Sequence, residues 1–141
     1  MSSSETDERI LTLLIQNANL TYKEMARKLK LNESTVRKRV LALEKKRVIR
    51  GYIADVDTER LGLKTNVALG LEVDATKILS VGKRISVIPE ARMVFNTSGA
   101  YDFIVVMWTK DRDSLMKIMN EISGLEGVSK VTPSFLLERL K

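Results

Sequence analysis

The chemistry open to this chain is narrowed first by what it lacks. Its 141 residues include no His and no Cys. That removes the commonest general base, the commonest metal ligand, the usual pH switch and any disulfide framework. What remains in density is positive charge at helical spacing, in Ser34-Thr35-Val36-Arg37-Lys38-Arg39-Val40 and on to Lys45-Lys46. With Val36, Val40 and Leu43 turned inward, a step of about 100° per residue puts Ser34, Lys38, Ala42 and Lys45 on the opposite face. Thr35 and Arg37 flank that face, and Arg39 falls nearer the core side, suited to packing or an ion pair. Hydroxyls and cations around a small alanine fit a DNA major groove. The N-terminal side chains of such a helix reach base edges, and later cations meet phosphates. The DNA-binding candidates are therefore Ser34, Thr35, Arg37, Lys38 and Lys45. The plainer alternative is a solvated, charged helix face.

The elements around this helix point the same way. Thr6 or Asp7 can cap a first helix, in which Ile10, Leu13 and Leu14 make one apolar stripe and Leu11 and Ile15 a second. The second stripe fits either another subunit or a tail packing back. Thr21-x-x-Glu24 has capping-box spacing and opens a short helix over 22–30, with Met25, Ala26 and Leu29 inward. Leu31-Asn32 is a tight turn, and Asn32 caps the basic helix over 33–46. Three short helices with a tight turn between the last two form a helix-turn-helix of the winged type. Charge placement agrees. Residues 1–50 hold 12 Lys+Arg and 6 Asp+Glu, so the whole net charge of +6 lies there. The remainder is balanced, which implies two modules with the polyanion partner on the first.

Val48 to Val56 is rich in β-branched residues and predicts a strand leaving the helix-turn-helix. Asp57 to Leu63 reads as a turn or short helical linker ended by Gly62. The expected division is a helix-turn-helix domain over 1–50, a strand and linker over 51–64, and a second domain over 65–141. That second domain reads strand, helix, strand, strand, helix, strand. The strands are expected at 67–73, 92–97, 101–109 and 128–136. The first helix, 76–87, should turn Ile78, Leu79, Gly82 and Ile85 to the sheet. The second, capped by Asp111 or Asp113, should bury Leu115, Ile118, Met119 and Ile122. This order is the ferredoxin-like βαββαβ antiparallel sheet, and the whole is an α+β chain. Pro133 is tolerable because the last strand lies at an edge. Phe103 to Trp108 is apolar on both faces, yet two helices cover one face only. The other needs a cover, either the same sheet of a second subunit or the chain's own basic domain.

Taken together, these residues resemble the Lrp/AsnC (leucine-responsive, feast/famine) family of prokaryotic transcription regulators, in an archaeal type. The resemblance rests on Thr35-Val36-Arg37-Lys38-Arg39-Val40 with Leu43-Glu44, on Val48-Ile49-x-Gly51-Tyr52, on Leu61-Gly62, and on Ser98-Gly99-Ala100-Tyr101-Asp102. It implies a sequence-specific DNA-binding regulator that dimerises through its sheet and often assembles further, to octamers. It also implies an amino acid or related metabolite bound near the Gly99-Ala100-Tyr101-Asp102 turn. The residues there suit such a ligand. Gly99 allows close backbone approach, so peptide N–H groups can face a carboxylate, and Asp102 can take an ammonium. Thr132 and Ser134, on one face of the last strand, can add hydroxyls. The effector candidates are Ser98, Gly99, Tyr101, Asp102, Thr132 and Ser134; the plainer alternative is a hairpin turn capped by Asp102.

The expected partners are double-stranded DNA, further copies of the chain, and an amino-acid effector. No cofactor, metal, catalytic residue or membrane partner is expected. The polar, acidic start is unlike a signal peptide, and no apolar run approaches the ~18 residues of a membrane helix, so a cytoplasmic location is expected. An architectural DNA-compacting protein without effector is the nearest rival. RNA binding lacks its basic-aromatic sheet surface, and an enzyme lacks any recognisable site chemistry.

Overall fold

The computed structural model describes residues 3–140. The chain divides into two compact units, one reaching Asp55 and the other starting at Val56. In the first unit, α1 (Ser3–Gln16), α2 (Tyr22–Leu29) and α3 (Glu33–Lys45) close around Ile10, Met25, Ala26, Leu29, Val36, Val40 and Leu43. The capping box forms as its spacing requires. The Thr21 hydroxyl accepts from the Glu24 N–H at 3.2 Å, and the Thr21 N–H donates to Glu24 Oε2 at 2.8 Å. The Thr21 hydroxyl also donates to Glu24 Oε2 at 2.8 Å, and the Thr21 N–H first and this hydroxyl second hold the Glu24 carboxyl below its ordinary pKa. Helix α2 ends on Lys30, whose φ of 56° turns the chain left-handed into α3.

Three local expectations change. Helix α1 starts at Ser3, so Thr6 lies inside it and is buried, and Asp7 is free to pair elsewhere. Glu5 occupies the dipole-favoured first turn. Asn32 stands at the N-cap of α3, but its side chain makes no capping bond; its carbonyl accepts from Thr35 and Val36 instead. The strand expected over 48–56 does not form: among the described residues, 46–64 contain no strand. Alternation alone cannot make a strand, because ladder bonds need a neighbouring strand and this stretch has none in the single chain. Asp57 to Leu63 is a turn as expected, held by Asp57 Oδ1 accepting from the N–H groups of Glu59 and Arg60, with Gly62 at φ 72°.

The second unit is a four-stranded antiparallel sheet in the order β2-β3-β1-β4, from β1 (Thr65–Val73), β2 (Ala91–Asn96), β3 (Phe103–Thr109) and β4 (Val128–Phe135). The central pair is β1 and β3, in register from Thr65 opposite Thr109 to Leu71 opposite Phe103. Pro133 sits on the edge strand, where a missing N–H costs no ladder bond. Helices α4 (Ile78–Ser86) and α5 (Arg112–Ser123) pack on one face, over Val67, Leu69, Leu71, Phe103, Val105 and Met107. Asp111 is the cap of α5, accepting from the Ser114 N–H at 2.8 Å, which lowers its pKa. A 3₁₀ turn over Ala75–Lys77 precedes α4, in which Ile78, Gly82 and Ile85 face the sheet as expected. Val81 and Ile85 are buried, whereas Leu79, expected to face the sheet, is 81% exposed.

Neither α4 nor α5 packs on the opposite sheet face. It presents Ala68, Ile104, Val106 and Trp108, with Met93 and Phe95 on β2 at 44% and 50% exposed. Arg92 stacks over Trp108 at 5.2 Å. Gly70 lies on this face too, and the Tyr101 ring covers it so closely that an added methyl group would meet ring carbons at 2.6 Å. No described helix is long and apolar enough to cross a membrane. We expect Gly70→Ala to cost roughly 1–3 kcal/mol by overpacking. Urea unfolding should show that cost vanish in a Tyr101→Ala background; equal costs in both backgrounds would refute the stacked ring.

Candidate functional site

The buried triplet Val36, Val40 and Leu43 sets the rotation of α3, and the rest of its surface follows. Ser34, Arg37, Lys38 and Lys45 are exposed, and Thr35 is half-buried. Ser34, Lys38 and Lys45 share the outward face. Arg37 lies on one flank and Thr35 on the other. Leu41, 48% exposed, also reaches outward, an apolar group that the sequence pattern did not single out. It suits contact with a thymine methyl.

Each flank of α3 is tied down. On one side Arg39 Nη1 donates to Asp7 Oδ1 of α1 at 2.8 Å, with both side chains about three-tenths exposed. Thr35, Lys38, Ala42 and Lys46 line a cleft there that Asp7 closes. Lys46 was not among the expected contacts; it is the residue that follows the last turn of α3 and lines this cleft with Lys38. On the other side the Tyr52 phenol donates to Glu44 Oε1 at 2.8 Å. Burial and then the Glu44 carboxylate push the phenol pKa up to about 12. Arg47, at φ 58°, reverses the chain between α3 and that contact.

The turn between β2 and β3 is fixed by several bonds. The Thr97 N–H donates to the Asp102 carbonyl at 2.9 Å, and the Thr97 hydroxyl to the Tyr101 carbonyl at 2.7 Å. The Asp102 N–H donates to the Leu71 carbonyl, and Asp102 Oδ2 accepts from the Val73 N–H at 2.7 Å. Val73 follows an irregularity in the β1–β4 ladder, so the carboxylate completes a peptide group the sheet leaves over. Gly99, at φ 139°, takes a backbone shape that side chains disfavour.

The six effector candidates are not gathered into one pocket by the single chain. Ser98 and Gly99 are exposed at the turn, and Tyr101 lies over Gly70. Thr132 and Ser134 run along the uncovered face of β4, opposite Gly70 and Ala68. Asp102 faces a shallow cleft shared with Glu72, Asp74, Ala100 and Ser129. Asp74 caps the 3₁₀ turn, and its bonds from Thr76, the hydroxyl first, keep its carboxyl below the ordinary pKa. Glu72 has Lys130 at 3.8 Å. Carboxylates dominate, so this cleft suits an ammonium better than a carboxylate. Among the described residues, no group of three or more acidic side chains is placed to hold a metal ion.

Comparison with known proteins follows the two units. Residues 3–50 match the family profile described as winged helix-turn-helix DNA-binding, and residues 66–141 that described as Lrp/AsnC ligand binding domain. The HTH-type transcriptional regulator LrpA of Pyrococcus horikoshii is 34% identical over 138 residues, spanning 97% of this chain and 98% of that protein. The solved structure of MtbAldR is 28% identical with a TM-score of 0.85, over 97% of this chain and 96% of that one. A Neisseria meningitidis transcriptional regulator, solved as a complex with L-Met, shares the fold at 23% identity and a TM-score of 0.80, over 100% and 92%. With both units matched in order and a relative aligned nearly end to end, the chain belongs to the Lrp/AsnC family of helix-turn-helix transcriptional regulators, which are not enzymes.

Proposed function

We propose that this chain is a sequence-specific regulator of transcription in the cytoplasm. It acts as a dimer or larger homo-oligomer, up to an octamer, and an amino acid or related metabolite tunes its grip on double-stranded DNA. The observation that carries the reading is the outward face of α3. It joins hydroxyls at the helix N-terminus to cations further along, within the first fifty residues that hold all the net charge. Ser34 and Thr35 are placed for base edges, and Arg37, Lys38 and Lys45 for phosphates or guanines. The uncovered sheet face supports the assembly. Exposed Met93 and Phe95 beside Ile104, Val106 and Trp108 form a contiguous apolar surface of the kind a second sheet covers. A twofold pair of α3 helices then reads a palindromic site.

Effector binding is supported by the matched ligand-binding domain and by the L-Met complex of the Neisseria relative. The acidic cleft at Asp102 supplies a partner for an ammonium. Ser98, Gly99 and Tyr101 at the turn, with Thr132 and Ser134 on the uncovered face, are proposed to complete the site where a second copy closes over it. The separation of these residues in one chain is why the assembled form is needed.

Three outcomes follow. Arg37→Ala with Lys38→Ala should weaken operator binding and flatten the log affinity against log salt plot by up to about 0.9 per lost phosphate contact; unchanged affinity in a gel shift removes α3 from the interface. Val106→Asp should give smaller species in sedimentation, and an intact assembly would assign the apolar face another role. Asp102→Asn keeps an acceptor for the Val73 N–H but removes the charge. Calorimetry with a panel of amino acids should show binding by the native chain lost in this variant; equal affinities would clear Asp102 of any effector role.

A further inference from the structure

The outward stripe of α3 is not wholly polar. Ser34, Lys38, Leu41 and Lys45 follow one another at i, i+4, i+7 and i+11, so Leu41 stands between two cations on one line. Arg37, one turn earlier, flanks it as well. Leu41 is 48% exposed, and it is not among the side chains packed on the apolar cluster of the first unit. Among the described residues of α2 and α3 it is the one large apolar side chain left exposed. Single exposed leucines are ordinary on protein surfaces; this one is set apart by its place at the middle of the DNA-facing stripe. Its apolar surface gains free energy only when something apolar covers it. A duplex lying there offers phosphates, base-edge donors and acceptors, and one apolar group in the major groove, the C5-methyl of thymine. Lys38 and Lys45 suit the phosphates. Leu41 has neither a charge nor a hydrogen bond to offer.

We infer that Leu41 is a specificity-determining residue: its side chain seats against a thymine C5-methyl group in the major groove, so each half-site carries a thymine at that position. This rests on the reading of α3 as the DNA-facing helix. Leu41 lies about 10 Å along the helix axis from Ser34, well beyond the ~3.4 Å step between base pairs, so the two side chains meet different pairs. The contact is apolar and short-ranged. It discriminates between bases without neutralising a phosphate, whereas a cation set on a phosphate strengthens binding without regard to sequence.

The test removes methyl groups from the DNA and, separately, the leucine from the protein. The duplexes are those that the full-length native chain selects from a random-sequence pool, resynthesised with deoxyuridine for thymidine at one half-site position at a time. Deoxyuridine keeps the pairing and the O4 acceptor and lacks only the C5-methyl. At one position the native chain should bind about fourfold more weakly for each half-site changed, the effect of leaving one methyl group uncovered. Leu41→Ala should bind the thymidine duplex more weakly, lose the preference at that position, and keep the native slope of log affinity against log salt. Alanine is at least as good a helix former, so α3 should persist, and thermal melts check that it does. Leu41→Met, still apolar, should retain most of the preference. Equal native affinity at every position overturns the inference alone, as does a selection that yields no shared thymine. So does a preference undiminished in folded Leu41→Ala, because another side chain would then read the methyl. If the native chain binds no duplex at any salt, the reading of α3 fails and this inference falls with it.

Discussion

Burial of Val36, Val40 and Leu43 against Ile10, Met25 and Leu29 is the constraint from which the first unit follows. An α-helix has one rotational degree of freedom about its axis. Fixing three residues on one stripe fixes the direction of all the others. Rotating α3 to hide its cations would expose those three side chains and forfeit roughly 1.5–3 kcal/mol for each. It would also take charges out of water, which costs more. The core thus specifies the outward face, although no core residue touches a ligand. The two flanking ties, Asp7 to Arg39 and Tyr52 to Glu44, act in the same sense from opposite sides.

The second unit solves a different problem. Two helices can cover one face of a four-stranded sheet, and β1 and β3 place Leu69, Leu71, Phe103 and Val105 under them. Alternation then sends Ala68, Gly70, Ile104, Val106 and Trp108 to the other face. That face is apolar, and within this unit its described residues give it local cover: Arg92 over Trp108, and Tyr101 over Gly70. Tyr101 belongs to the β2–β3 turn, and its neighbour Asp102 is bonded to the β1 backbone. The turn is therefore joined to both sides of the sheet. A ligand at Asp102 and a subunit on the open face would meet adjoining residues of one rigid segment, a short physical route between the two proposed events.

Without His or Cys, the acidic groups at Glu72, Asp74 and Asp102 are the main concentration of potentially reactive side chains in the second unit. One oxygen of Asp102 is held by a backbone N–H, and Asp74 is engaged as a helix cap. Groups so occupied recognise and position. Under the proposed function the division of labour follows the charge: residues 1–50, which carry the whole +6, would meet a polyanion, and the balanced remainder small molecules and copies of itself.

Much of this was legible in the residues. The Thr21-x-x-Glu24 spacing, the inward triplet of α3, the strand and helix order, and the edge position of Pro133 all depend on local bonding or on periodicity, which a single chain displays openly. In α4 Ile78, Gly82 and Ile85 were legible, but Leu79 was not: it lies outward, and Val81 takes the buried place beside Ile85. The stretch over 48–56 has the composition of a strand, but composition supplies no ladder partner. Asp7 was read as a cap because its sequence neighbours favour one; its pairing with Arg39 exists only when α1 is laid on α3. The same holds for Tyr101 on Gly70 and for the dispersal of Thr132 and Ser134 away from Asp102. Sequence alone determined which residues are buried or charged within each element, since that is set by spacing along one chain. Tertiary structure decided which distant side chains meet, since that depends on how separate elements dock.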